Sequence, residues 1–172
     1  MNRTQPLRVL MVCWGNICRS PTAEGILRHL AGQRGVAIEV DSAGTSGGHS
    51  GSPPHRRAIA EAARRGLDIS DLRARKLMAS DFANFDLILT SDQKVDDRVR
   101  RQAPPGSRAR IMRMTEPLPD FERFPEVPDP YFGSEEDYRL VFDLLERALN
   151  QLLDDLSAGV RRNPYGGALG SG

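Results

Sequence analysis

Apolar and polar positions fall into blocks along the chain, and the blocks predict alternating strands and helices. Residues 7–12 are apolar except for Arg8, which suits a strand buried on both faces of a parallel sheet. An amphipathic pattern follows over 20–34, with Ala23, Ile26, Leu27 and Leu30 on one face,. Ser20 can cap that helix, Pro21 suits its first turn, and Gly32 and Gly35 bracket its end,. A second strand is expected at 36–40. The small-residue stretch 41–51 reads as a loop, of the kind needed where backbone must approach something closely,. Pro53 and Pro54 lead into a helix over 55–65 with a narrow stripe of Ala58, Ile59, Ala62 and Ala63. A helical turn at 79–82 precedes a third strand at 85–90. Ser91 and Asp92 are candidate caps for the polar helix beyond, which ends before Pro104, and 108–112 alternates as an edge strand does,.

Residues 116–133 break this rhythm. They carry five of the chain's twelve prolines and no period, and a structureless stretch of that length in a compact domain is usually functional. The clearest helical period comes last, over 134–156, where Tyr138, Val141, Phe142, Leu145, Ala148, Leu149, Leu152 and Leu156 share a face. Strands alternating with helices imply an α/β domain, a parallel sheet covered on both sides. It is expected to span 1–157, followed by a flexible tail at 158–172.

Composition narrows the function. With 24 basic and 23 acidic residues the net charge is +1, which argues against a nucleic-acid surface. No apolar stretch approaches membrane-spanning length, and the polar start carries no secretory signal. The two cysteines lie five apart, which is neither a disulfide framework nor a zinc site and fits a reducing cytoplasm.

Both sulfurs fall where an α/β sheet places its ligands, outside the carboxyl end of a strand. Between the first strand and the first helix runs Cys13-Trp14-Gly15-Asn16-Ile17-Cys18-Arg19-Ser20-Pro21. A helix N-terminus presents unpaired N–H groups and a partial positive charge, a ready anion site. Gly15 avoids a side-chain clash in such a loop, Asn16 tolerates left-handed backbone, and Arg19 offers a planar fork to phosphoryl oxygens. The same groups favour thiolate over thiol at Cys13, and Ser20 could donate a hydrogen bond to it. Cys18 either packs as a small hydrophobe or traps an oxidised Cys13. A thiolate that attacks phosphorus expels an ester oxygen, which needs a proton. Asp129, between prolines in the long loop, is the candidate donor; Asp-Pro also initiates turns, and local sequence leaves both open.

These residues together resemble the low-molecular-weight protein tyrosine phosphatases, from the first strand to the last helix. The anchors are residues 13–21, Asp41-Ser42-Ala43-Gly44-Thr45 and Asp129-Pro130-Tyr131. The resemblance implies a four-stranded parallel sheet, a monomer without metal or cofactor, and tyrosine-phosphorylated proteins as substrates. It implies Cys13 as the nucleophile that forms a phosphocysteine, with Arg19 and the loop amides of 14–18 binding phosphate. Asp129 would be acid and then base, Asn16, Ser42 and Asp92 would support the loop, and Ser20 would tune Cys13. Trp14, His49, Tyr131 and Phe132 would line a mouth deep enough to exclude phosphoserine. The family often has a second tyrosine where Phe132 stands, which leaves Tyr131 as the site for a regulatory tyrosine kinase. Some members carry histidine near Leu72 and aspartate at His55, so the hydrogen bonding behind the loop should differ here.

Three rivals follow from the same loop. Arsenate reductases of similar fold relay a disulfide to later cysteines, and none follows Cys18. Protein arginine phosphatases of the family carry threonine where this chain has Ile17. A phosphate-binding module without catalysis would have no use for Asp129.

Overall fold

The computed structural model describes residues 5–158. In chain order the elements are β1 (Leu7–Cys13), α1 (Arg19–Arg34), β2 (Ile38–Gly44), α2 (Arg56–Arg64), α3 (Asp81–Asn84), β3 (Leu87–Thr90), α4 (Gln93–Gln102), β4 (Arg110–Arg113) and α5 (Glu135–Ala158). The four strands form one parallel sheet in the order β2-β1-β3-β4. The expected α/β class and four-stranded parallel sheet are therefore present.

Strand alternation sorts the core into two layers. Val9 and Met11 of β1 and Leu89 of β3 face α1, α2 and α5. Leu10, Val12 and Ile88 point the other way, onto Phe82 of α3 and Val95 and Val99 of α4. This is why residues 7–12 read as continuously apolar: β1 is central and both of its faces are buried,. The stripe of α5 packs as its period predicted, with Tyr138 through Leu152 buried, Leu153 joining them and Leu156 partly covered. Among the described residues no helix is long and apolar enough to cross a membrane.

Several boundaries move. The second strand begins at Ile38, because Gly35 ends α1 in the left-handed conformation and Val36 closes the cap, its N–H donating to the Ala31 carbonyl at 2.9 Å,. It then continues through Asp41-Ser42-Ala43-Gly44, four residues expected in a loop, in register with Leu10 to Cys13. Lying at an edge of the sheet, β2 accepts polar residues that a central strand would reject. The fourth strand starts two residues late and includes Arg113, and the short turn falls at α3. Asp92 caps α4 by accepting from the Val95 N–H, whereas the Ser91 side chain does not cap it. Ser20 is not a cap either: α1 begins at Arg19 and the Ser20 hydroxyl is turned elsewhere. Helix α5 includes Ala158, which was expected in the tail, and the rest of that expected tail lies outside the described residues.

Candidate active site

β1 delivers Cys13 to the carboxyl edge of the sheet, and residues 14–18 turn back into α1. The turn closes over Gly44, the residue paired with Cys13. A Cβ at Gly44 would lie 2.8 Å from the Trp14 carbonyl oxygen and 3.1 Å from the Asn16 nitrogen. The Thr45 and Ser46 N–H groups donate to the Cys13 and Trp14 carbonyls at 3.0 and 2.9 Å, holding the outer side of the turn.

Asn16 locks the loop. It has φ of 56°, a left-handed conformation that its short amide side chain can support,. Its Oδ1 accepts from the Arg75 N–H at 3.0 Å. Because that partner can only donate, the amide orientation is fixed and Nδ2 faces the loop interior. There Nδ2 donates to Ser20 Oγ at 2.8 Å and to Ser42 Oγ at 2.9 Å. Each serine hydroxyl therefore has its own proton left to give. Ser42 gives it to Glu24 Oε1 at 2.7 Å, and Ser20 Oγ lies 3.0 Å from Cys13 Sγ. The Asn16 N–H donates to the same sulfur at 3.3 Å. The sulfur thus sits as an acceptor between two donors.

Arg19, the first residue of α1, is nearly fully buried. One end of its guanidinium donates to Asp92 Oδ2 at 2.7 Å and to the Val127 carbonyl at 3.0 Å. The other end lies 3.7 Å from Asp129 Oδ2. Burial alone would raise the Asp92 carboxyl, but the Val95 amide and Arg19 outweigh it and hold it below its ordinary value,. Glu24 shows the reverse balance: burial pushes it up, against the Ser42 and Arg28 hydrogen bonds.

The Val127 N–H donates to the Ser91 carbonyl at 2.8 Å, pinning the later part of the proline-rich stretch to the residue that follows β3. Two residues on, Asp129 Oδ1 accepts from the Tyr131 N–H at 3.1 Å. Its side chain stays half exposed, on the same side of the molecule as Cys13 and Arg19. The turn reading of Asp129 and its nearness to the loop therefore hold together.

Aromatic rings surround this point. Tyr131 packs edge-on to Phe132 at 4.7 Å and to His55 at 5.7 Å, and tilts toward His49 at 6.1 Å. His49 in turn covers Gly15, where an added Cβ would lie 3.0 Å from its ring. Phe132 is 97% exposed and Trp14 45% exposed. The Ile17 and Cys18 side chains, by contrast, are buried in the core, so only their backbone faces the loop. Cys18 Sγ lies 3.4 Å from the Tyr138 hydroxyl, and burial pushes its thiol up to about 12.

Sequence reasoning missed Glu24, Arg75 and the partners of His55. Glu24 carried a usable signal, an acid beside Ala23 on the apolar face of a helix. Arg75 carried none, since it acts through its backbone N–H and clamps Asp41 and Asp81 with its guanidinium. His55 caps α2 through its ring, donates its backbone N–H to the Ile17 carbonyl and stacks on Tyr138. Burial, then Arg57 and Arg56, lowers its pKa.

Fold and site together define an α/β protein with a buried cysteine at a strand-to-helix turn, next to an arginine that an aspartate of the long loop approaches. The sequence pattern of the low molecular weight phosphotyrosine protein phosphatases matches residues 8–162, and the chain belongs to that family. A low molecular weight protein-tyrosine-phosphatase of Bacillus subtilis, YfkJ, is 36% identical over 86% of this chain and 94% of its own. The crystal structure of YfkJ gives a TM-score of 0.84 at 34% identity, covering 93% of this chain and all of that one. The crystal structure of a Drosophila arginine phosphatase gives a TM-score of 0.85 at 26% identity, covering 89% of this chain and 99% of that one.

Proposed function

We propose that this chain hydrolyses phosphotyrosine in proteins through a phosphocysteine intermediate. The observation that carries the reading is the company of one sulfur. Cys13 Sγ has two hydrogen-bond donors within 3.3 Å, and the Arg19 that starts the adjoining helix turn reaches Asp129 at 3.7 Å. A nucleophile, an anion cradle and a proton donor stand in one place.

In the first step the loop N–H groups and Arg19 hold the phosphoryl oxygens, and the Cys13 thiolate attacks phosphorus. The S–P bond forms, the P–O ester bond breaks, and the phenol oxygen takes the proton of Asp129. In the second step a water attacks phosphorus and gives its proton to the Asp129 carboxylate. The S–P bond breaks, and Ser20 donates to the departing sulfur. The sum is ester plus water to phenol plus phosphate. The half-exposed position of Asp129 suits both duties, because leaving group and water must each reach it.

The ring cluster of His49, Tyr131 and Phe132 suits an aromatic ester. We take residues 1–157 to be the catalytic domain, a monomer acting without cofactor, in the cytoplasm where its two free thiols persist. Tyr131, 37% exposed, is the site at which a tyrosine kinase would add charge to the mouth,. Phosphoarginine is the second reading, favoured by the closeness of the Drosophila structure. With Cys13→Ser we expect turnover of para-nitrophenyl phosphate to vanish while inorganic phosphate still binds; full activity in that variant overturns the nucleophile. Phosphotyrosine and phosphoarginine peptides given to the native protein then decide between the P–O ester and the P–N phosphoramidate.

A further inference from the structure

Trp14 directly follows the nucleophile, and a cation lies on its ring. The Arg98 guanidinium carbon sits 4.5 Å from the indole centroid, a cation–π contact that steadies the head group on the ring without using its N–H donors. Arg98 is exposed on α4, and it has no ion pair or hydrogen bond among the described residues. Its neighbours on the helix are engaged. Arg100 pairs with Asp96 and reaches the Ile111 carbonyl, and Arg101 donates to the Asp97 carbonyl. Asp97, the acid beside Arg98, accepts instead from the Gln93 amide. One turn before Arg98, on the same face, Lys94 is exposed and also without a partner among the described residues,. Inside the site, Arg19 is matched by Asp92 and Asp129. On the α4 side of Trp14, Arg98 and Lys94 have no carboxylate within ion-pair distance among the described residues, while Asp97 beside them is held by a neutral amide.

We propose that Arg98, steadied on Trp14 and reinforced by Lys94, forms a specificity-determining subsite for an acidic side chain next to the phosphotyrosine of a protein substrate. The inference rests on the phosphatase reading and deepens it. A carboxylate can take two N–H groups of a guanidinium at once, which suits a pre-oriented fork. An extended peptide advances about 3.3 Å per residue, so a neighbour two or three positions away stands about 7–10 Å from the phosphotyrosine, a reach that crosses one indole ring.

The test measures binding to the Cys13→Ser protein of two phosphotyrosine peptides that differ only in a flanking glutamate or glutamine. We expect the glutamate peptide to bind about three-fold tighter at low salt, as one exposed ion pair allows, and the gap to close as salt rises. Adding Arg98→Glu should invert the order. With the native enzyme, the preference should appear in KM and leave kcat alone. Equal binding of the two peptides at low salt, or a preference that survives Arg98→Glu, overturns the subsite. Binding to the Cys13→Ser protein needs no turnover. A native protein inert toward phosphotyrosine would therefore overturn the proposed function, while the peptide preference is decided separately.

Discussion

Asn16 and Asp129 show how much chemistry rests on two short polar side chains. Asn16 is the one non-glycine residue with positive φ among those described, and it meets that strain with hydrogen bonds to Arg75, Ser20 and Ser42. Asp129 has a looser hold: one backbone N–H, the Arg19 edge and the stiffness of flanking prolines. Its proposed duty is to protonate the leaving oxygen, so the cost of losing it depends on how badly that oxygen needs a proton. We expect Asp129→Asn to slow phenyl phosphate by about a hundredfold to ten-thousandfold. It should slow a strongly activated ester far less, because that leaving group departs as the anion. Steady-state rates on a series of aryl phosphates check this, and equal slowing across the series would count against the acid. Tests of this kind suit the residues that sequence could name in advance. Cys13, Arg19 and Ser20 announce themselves by type and spacing, whereas Asp129 stands between proton donor and turn until the family resemblance points to it. Glu24 and Arg75 act from behind the loop, and Arg75 does so through a backbone N–H, which no residue type encodes.

At the scale of elements, β2 is where hydrophobic pattern and structure part. Four of its seven residues are Asp41-Ser42-Ala43-Gly44, too small and polar to look like a strand. What makes them one is their neighbour: β1 supplies the ladder, and the edge position removes the need for a second apolar face. The smallness has its own cause, for the turn after Cys13 crosses Gly44 closely enough to exclude a side chain. Gly44→Ala should therefore push the turn away from the sulfur. We expect phosphate affinity and turnover to fall together, with a loss of stability of about 1–3 kcal/mol typical of overpacking. Urea unfolding and competitive inhibition by phosphate measure the two effects. A variant with native phosphate affinity would mean that the turn has slack. Elements with an apolar face were far easier to place, and β1, α1 and α5 need only small adjustments at their ends.

For the whole molecule, the division of labour follows the two sides of the sheet. Helices α1, α2 and α5 cover one side with the larger apolar cluster, and α3 and α4 cover the other. Only the ends of these elements reach the site, so most of the core can weaken without moving the catalytic groups. Helix α5 makes the separation measurable. At its start Tyr138 touches Cys18 and His55, while Leu149, fully buried, lies about three turns and about 16 Å further along the axis,. Leu149→Ala removes packing between α5 and the rest of the core, and leaves in place the Tyr138 contacts with Cys18 and His55. Buried leucine truncations cost about 2–5 kcal/mol, so the urea midpoint and Tm should fall clearly. Below the transition, where nearly all molecules are folded, kcat for para-nitrophenyl phosphate should stay at the parent value. A kcat that drops in step with the midpoint would show that α5 tunes the loop along its whole length, through Tyr138 and Cys18.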